Sequence, residues 1–278
     1  METRAALAIL GEYTAEQWGL VTAAQASAAG VDSVTLYRLK DAGFLAPIRR
    51  GVYAATAAPD AQFQDERAVW LALNPSVPAW QRSKLDRDGG VLSHGSAARL
   101  HGLGDLTAEV VTVTVPRRRS LRDPSVQVRR RQLTEQDVTL IDGLPTTTPL
   151  RTVQDLLDDH SDGSHLATII RQGVQTGVLE PGGLVANVGA YARRYDIGNR
   201  DGERLVDYLL GHIGSSLATL TGRTTSTTRD AIARDQLIEE VLARLRPRSG
   251  EHPPPASAPQ IDDEQPGSDW STTGRENT

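Results

Sequence analysis

The sequence predicts an α+β protein, on three observations. Two helical patterns joined by a glycine turn and followed by a short basic hairpin occupy the first 57 residues. From residue 62, Val- and Thr-rich strand patterns are mixed with helical ones. From Pro247 the chain is rich in Pro, Ser, Gly and acids and has no periodicity. The expected organisation is an N-terminal helix-turn-helix unit over 1–57, a mixed α/β domain with a helical C-terminal part over 62–246, and a disordered acidic tail over 247–278. With 278 residues and 38% apolar content the chain can bury two cores.

The N-terminal unit is justified element by element. Arg4 to Leu10 and Glu16 to Leu20 are expected as pieces of a first helix, interrupted at Gly11. Thr22-Ala-Ala-Gln25 is a capping-box pattern, in which the Thr22 hydroxyl accepts from the Gln25 N–H and the Gln25 side chain reaches back. A short helix of small residues should follow, over Ala23 to Ala29, and end at Gly30, where a left-handed conformation closes the helix. Asp32 caps the next helix, from about Ser33 to Ala42, which carries Leu36 and Leu39 on one face and stops at Gly43. Ile48 and Val52 or Tyr53 then flank Arg49-Arg50-Gly51, a hairpin with a basic tip. Two helices, a tight turn and a basic hairpin in this order make a winged helix-turn-helix, whose second helix enters the DNA major groove.

In the second region, Phe63 to Leu73 is helical, Val91 to Leu103 contains another helix, and Val110 to Val115 is a strand. Val126 and Val128 suggest a partner strand, a third begins near Val138, and Pro149 to Leu157 opens a helix. His165 to Gln175, Gly183 to Val188, Gly202 to Leu220 and Thr228 to Arg246 complete the helical candidates.

Charge and composition narrow the chemistry. The formal charge is −5, and residues 251–278 carry six acids against Arg275, so the tail supplies the whole excess and the body is neutral. No cysteine is present, which excludes disulfides, thiolate metal sites and a cysteine nucleophile. Ser93-His94 near Asp105 has no Gly-x-Ser-x-Gly elbow around it, and His94 and His101 are too far apart for an i, i+4 metal pair. Packing or capping suits these histidines better, and neither an enzyme nor a cofactor is expected. With no apolar run of about 18 residues and no apolar leader after Met-Glu-Thr-Arg, a cytoplasmic protein without membrane contact is expected.

The DNA-facing candidates follow from the helical period. Opposite Leu36 and Leu39 lie Val34, Tyr37, Arg38 and Asp41, with Ser33 on the first turn. Arg38 can fork onto a guanine edge, Val34 can touch a thymine methyl, and Ser33 can bond a base or phosphate. Thr22, at the start of the preceding helix, and Arg49 and Arg50, at the hairpin tip, complete the set for this unit. Pro116 to Arg131 holds seven arginines against Asp123, and Arg117, Arg118 and Arg119 are the candidates there for phosphate contacts.

Three blocks then carry a family resemblance: Val21-Thr-Ala-Ala-Gln-Ala26 with Gly30-Val-Asp-Ser-Val-Thr-Leu-Tyr-Arg-Leu39 and Arg49-Arg-Gly-Val-Tyr53; Leu92-Ser-His-Gly-Ser-Ala-Ala-Arg-Leu-His-Gly-Leu103 with Val111-Thr-Val-Thr-Val-Pro-Arg-Arg-Arg119; and Gly143-Leu-Pro-Thr-Thr-Thr-Pro-Leu-Arg-Thr-Val-Gln-Asp-Leu156. Together they resemble the larger actinobacterial AbiEi-type antitoxins of type IV toxin-antitoxin systems, over roughly residues 18–160. The resemblance implies a protein that binds operator repeats in double-stranded DNA, represses its own operon and neutralises a nucleotidyltransferase-type toxin encoded beside it. It supplies no motif for the neutralisation. An alternative is a winged-helix regulator with no toxin partner. A similar front half also occurs in proteins ending in a Vsr-like endonuclease domain. Against that reading, no lysine follows Lys84 and residues 200–246 hold one histidine, His212, with no strand-borne acid pair.

Overall fold

A computed structural model of the chain describes residues 1–58, 62–104, 110–119, 123–198 and 200–222. The first helix, α1 (Thr3–Glu16), runs straight through Gly11 and buries Ala6 and Leu10. The expected interruption does not occur: one exposed glycine costs a helix about 1 kcal/mol, less than burying two apolar side chains returns. The expected helical piece from Glu16 to Leu20 is also corrected. Trp18 and Gly19 adopt positive φ and turn the chain, and Leu20 opens a strand, β1 (Leu20–Thr22), buried along its whole length.

The capping box forms as the sequence predicts. The Gln25 N–H donates to the Thr22 hydroxyl and the Thr22 N–H to the Gln25 side-chain oxygen, both at 3.0 Å, opening α2 (Ala23–Ala28). Gly30 at φ +86° makes the turn. Asp32 then caps α3 (Ser33–Asp41) by accepting from the Thr35 N–H at 2.8 Å. A hairpin of β2 (Leu45–Arg49) and β3 (Val52–Ala55) follows, and β3 pairs antiparallel with both β1 and β2. Ala6, Leu10, Val21, Ala26, Val31, Leu36, Leu39 and Leu45 form the core beneath these helices. This is a winged helix-turn-helix.

The second sheet has the order β6-β5-β4-β8-β7, from β4 (Val91–Leu92), β5 (Val111–Val115), β6 (Val126–Arg130), β7 (Val138–Ile141) and β8 (Leu144–Thr147). The strands β5 and β6 are parallel, with Val111 opposite Val126 and Val115 opposite Arg130. Asp142 and Gly143, at φ +48° and +80°, link β7 to β8 by the kind of turn that matches the twist of a hairpin. Helices α4 (Gln64–Leu73) and α5 (His94–Leu100) accompany this sheet.

The N-terminal unit keeps the core just described, and a second cluster crosses the expected boundary near residues 57–62. The α4 residues Val69, Trp70, Leu71 and Leu73 pack in one cluster with Leu20, Val52 and Ala54 of the wing sheet and with Leu92, Val111, Val113 and Leu144 of the second sheet. Residues 1–222 lie within one compact unit.

The helical part comprises α6 (Pro149–Asp158), α7 (Gly163–Gln175), α8 (Pro181–Val188), α9 (Gly202–Gly211) and α10 (Leu217–Leu220). Its core holds Leu156, Leu157, Leu166, Ile169, Ile170, Leu205, Leu209 and Leu210. Gly202 permits a close backbone crossing, since a Cβ there would lie 2.0 Å from the Val185 carbonyl oxygen. The continuous helix expected over Gly202 to Leu220 is split at Gly214, φ +66°. The helix expected over Thr228 to Arg246 and the acidic tail lie outside the described residues. Among the described residues no helix is long and apolar enough to cross a membrane.

Candidate nucleic-acid interface

The second helix of the helix-turn-helix presents the face its period predicts. Thr35, Leu36 and Leu39 are buried, while Ser33, Val34, Tyr37, Arg38 and Asp41 are exposed. Val34 and Tyr37 are 57% and 60% exposed, large values for apolar side chains on a short helix. The Lys40 ammonium stands 4.7 Å from the centre of the Tyr37 ring, which stiffens that side chain without covering the helix face. Asp32 fixes the helix start, and its carboxyl lies below the usual aspartate range, first because it accepts the Thr35 N–H and then because it accepts the Thr35 hydroxyl.

The first helix of the pair, α2, is held to the end of α1 by a buried amide exchange. Gln17 and Gln25 donate to each other's side-chain oxygens at 3.0 Å, and both are buried. Gln17 also accepts the Ala79 N–H at 2.8 Å, and Gln25 donates to the Val77 carbonyl at 3.3 Å. Thr22 belongs to the same arrangement: its hydroxyl donates to the Pro75 carbonyl, and the residue has no exposure. A DNA contact for the Thr22 side chain therefore conflicts with its position. Gln17 was not among the sequence candidates, because its partners lie 8 and 62 residues away.

At the wing the two arginines part company. Arg50 is exposed at the tip. Arg49 turns inward: its side chain is 11% exposed and donates to Asp123 at 2.5 Å and Ser125 at 2.8 Å, with Asp65 at 3.5 Å. Asp123 is itself organised by Ser125, whose hydroxyl and N–H both donate to it, and the hydroxyl bond is the first cause of its lowered pKa. The expectation that Arg49 and Arg50 form a matched phosphate-binding pair thus meets a geometry in which Arg49 is already occupied.

The arginine run is also largely committed within the chain. Arg117 pairs with Asp88, and Arg119 donates to the Leu73 carbonyl and to Asp88. Arg129 pairs with Asp159 and Arg131 with Asp158. Arg118 and Arg130 are exposed with no ion pair among the described residues, and Arg122 lies outside them. Because β5 and β6 are parallel, Arg117 to Arg119 follow the Val115 end while Asp123 sits at the Val111 end. At about 3.3 Å per residue, the run and the wing contact are separated by most of a strand length.

His94 and His101 each make polar contacts within the chain. His94 Nδ1 lies 2.9 Å from the Ser93 hydroxyl and Nε2 lies 3.5 Å from Asp159, while Ser93 is fully buried. The His101 Nε2 donates to the Thr147 carbonyl at 2.7 Å, which joins α5 to β8.

This geometry is that of a winged helix-turn-helix: a capped, core-anchored helix whose outer face carries Val34, Tyr37, Arg38 and Asp41, beside a sheet hairpin. Residues 12–56, from the middle of α1 to the end of the wing, match the family model described as "Transcriptional regulator, AbiEi antitoxin". The likeness to that family covers the helix-turn-helix and its wing. No curated protein matches the chain.

Proposed function

We propose that the protein is a non-enzymatic, cytoplasmic antitoxin of a type IV toxin-antitoxin pair that binds double-stranded operator repeats and represses its own operon. The observation that carries this reading is the outer face of α3, where Ser33, Val34, Tyr37 and Arg38 stand exposed within the segment that matches the family model. On a helix lying in the major groove, these side chains meet base edges, and Arg50 at the wing tip meets phosphate. The partner to be neutralised is a nucleotidyltransferase-type toxin encoded next to this chain. Titration of the protein against the duplex upstream of its own gene and against a scrambled duplex tests the DNA half of the reading. Equal affinity for the two rejects an operator.

Because the family match ends at residue 56, a regulator without a toxin partner is the second reading. Pull-down of the product of the adjacent gene decides between them. Retention of a nucleotidyltransferase supports the antitoxin, and its absence supports the plain regulator.

A further inference from the structure

Arg49 opens a basic hairpin tip, where a side chain normally reaches for phosphate, yet it is withdrawn into the body of the protein. Its guanidinium bridges Asp123 and Ser125, which precede β6 and lie 74 and 76 residues further along the chain. The acceptor is built, not incidental, since Ser125 donates twice to Asp123 and so aims the free carboxylate oxygen at the arginine. From Arg49 the contact continues through the backbone. The carbonyl of Gly51, two residues on, accepts the Ala23 N–H at 2.8 Å, and Ala23 is the first residue of α2. The helix α2 in turn packs on α3 through the core that holds Ala26, Leu36 and Leu39.

We propose that Arg49 is a positioning residue: by bridging Asp123 and Ser125 it holds the wing tip, and through it α2 and the recognition helix, at a fixed angle to the α/β body. The inference rests on the reading that α3 contacts DNA. It has a consequence with an unusual sign, because an acidic side chain, Asp123, then promotes binding to a polyanion. Electrostatics alone predicts the opposite, since removing a carboxylate near DNA lowers repulsion.

The test uses the full chain with Arg49→Ala, Asp123→Asn, and the reversed pair Arg49→Asp with Asp123→Arg. Each is titrated against the duplex upstream of the gene and a scrambled duplex over a salt series, and backbone amide exchange of residues 45–55 is followed in the free protein. Both single variants should lose roughly tenfold in affinity for the upstream duplex, the size expected for one charge-assisted hydrogen bond. The log-log salt slope should stay unchanged, the wing amides should exchange faster, and the reversed pair should recover binding. The inference is overturned if Asp123→Asn binds as tightly as the parent or more tightly. It is equally overturned if Arg49→Ala flattens the slope by about 0.9, the signature of a lost phosphate contact. Asp123→Asn is isosteric, so its melting temperature reports whether the fold is kept. A parent that does not prefer its upstream duplex rejects the functional reading, and unaltered wing exchange in the variants then separately rejects the bridge.

Discussion

Arg38 and Arg50 are both exposed cations of the same small domain, but they stand on elements that meet different parts of a duplex. Arg38 projects from the α3 face that also carries Val34 and Tyr37, so its loss should remove base discrimination. Arg38→Ala is expected to cost about 1–3 kcal/mol on the upstream duplex and to narrow the gap to scrambled DNA. Arg50→Ala should weaken both duplexes by similar factors and lower the salt slope by about 0.9. Titrations at one fixed salt concentration, followed by the salt series, separate the two outcomes. Arg38→Ala binding the upstream duplex as tightly as the parent would remove α3 from the interface. A second residue-scale expectation concerns Gln17, which has no exposure and answers Gln25, Leu20 and Ala79 at once. Gln17→Ala strands those buried groups without partners and should cost about 1–3 kcal/mol in urea unfolding. A change within about 0.5 kcal/mol would place the amide exchange among replaceable contacts.

At the scale of elements, the arginine run that follows β5 is the test of how far local charge predicts an interface. Arg117 and Arg119 are held by Asp88, leaving Arg118 as the exposed cation of the three without an ion pair. Replacing all three by alanine should therefore flatten the salt slope by about 1 unit, not by the 3 that three phosphate contacts would give. A fall close to 3 would show that DNA displaces Asp88. The same contrast explains what was legible in the sequence. Caps are local, so Thr22 with Gln25 and Asp32 with Thr35 were readable from spacing alone, and with them the buried and exposed faces of α3. The strand β1 was not, because three residues become a strand only through pairing with β3, some 30 residues away. The hairpin to β8 has a local signal, the Asp142-Gly143 dipeptide, which a strand pattern of Val and Thr does not contain. The Arg49 bridge has no sequence signal, because ion pairing across 74 residues leaves no periodicity behind.

For the molecule as a whole, a core shared through α4 links the wing sheet to the second sheet, which should make them unfold together, and the buried His94 and half-buried His101 should give stability a pH dependence. His94 is pushed below the ordinary histidine value by burial, against the opposing pull of Asp155 and Asp159. His101 is pushed down by burial too, against its bond to Thr147. A histidine that resists protonation when folded binds fewer protons than the unfolded chain does in the interval between its two pKa values. Stability therefore rises with pH across that interval and falls as pH drops through the unfolded value toward the folded one. The window opens near the ordinary histidine value, about 6.5, and extends below it. The melting temperature should accordingly fall between about pH 7 and about pH 5, by roughly 2–4 °C for each kcal/mol lost. His101→Gln keeps a donor for the Thr147 carbonyl but removes the titration, so its melting temperature should fall less over the same interval. Because α4 joins the wing sheet to the second sheet, tryptophan fluorescence and circular dichroism should report one transition at both pH values. A variant whose pH dependence matches the parent's would assign the effect to His94 alone or to groups outside this pair.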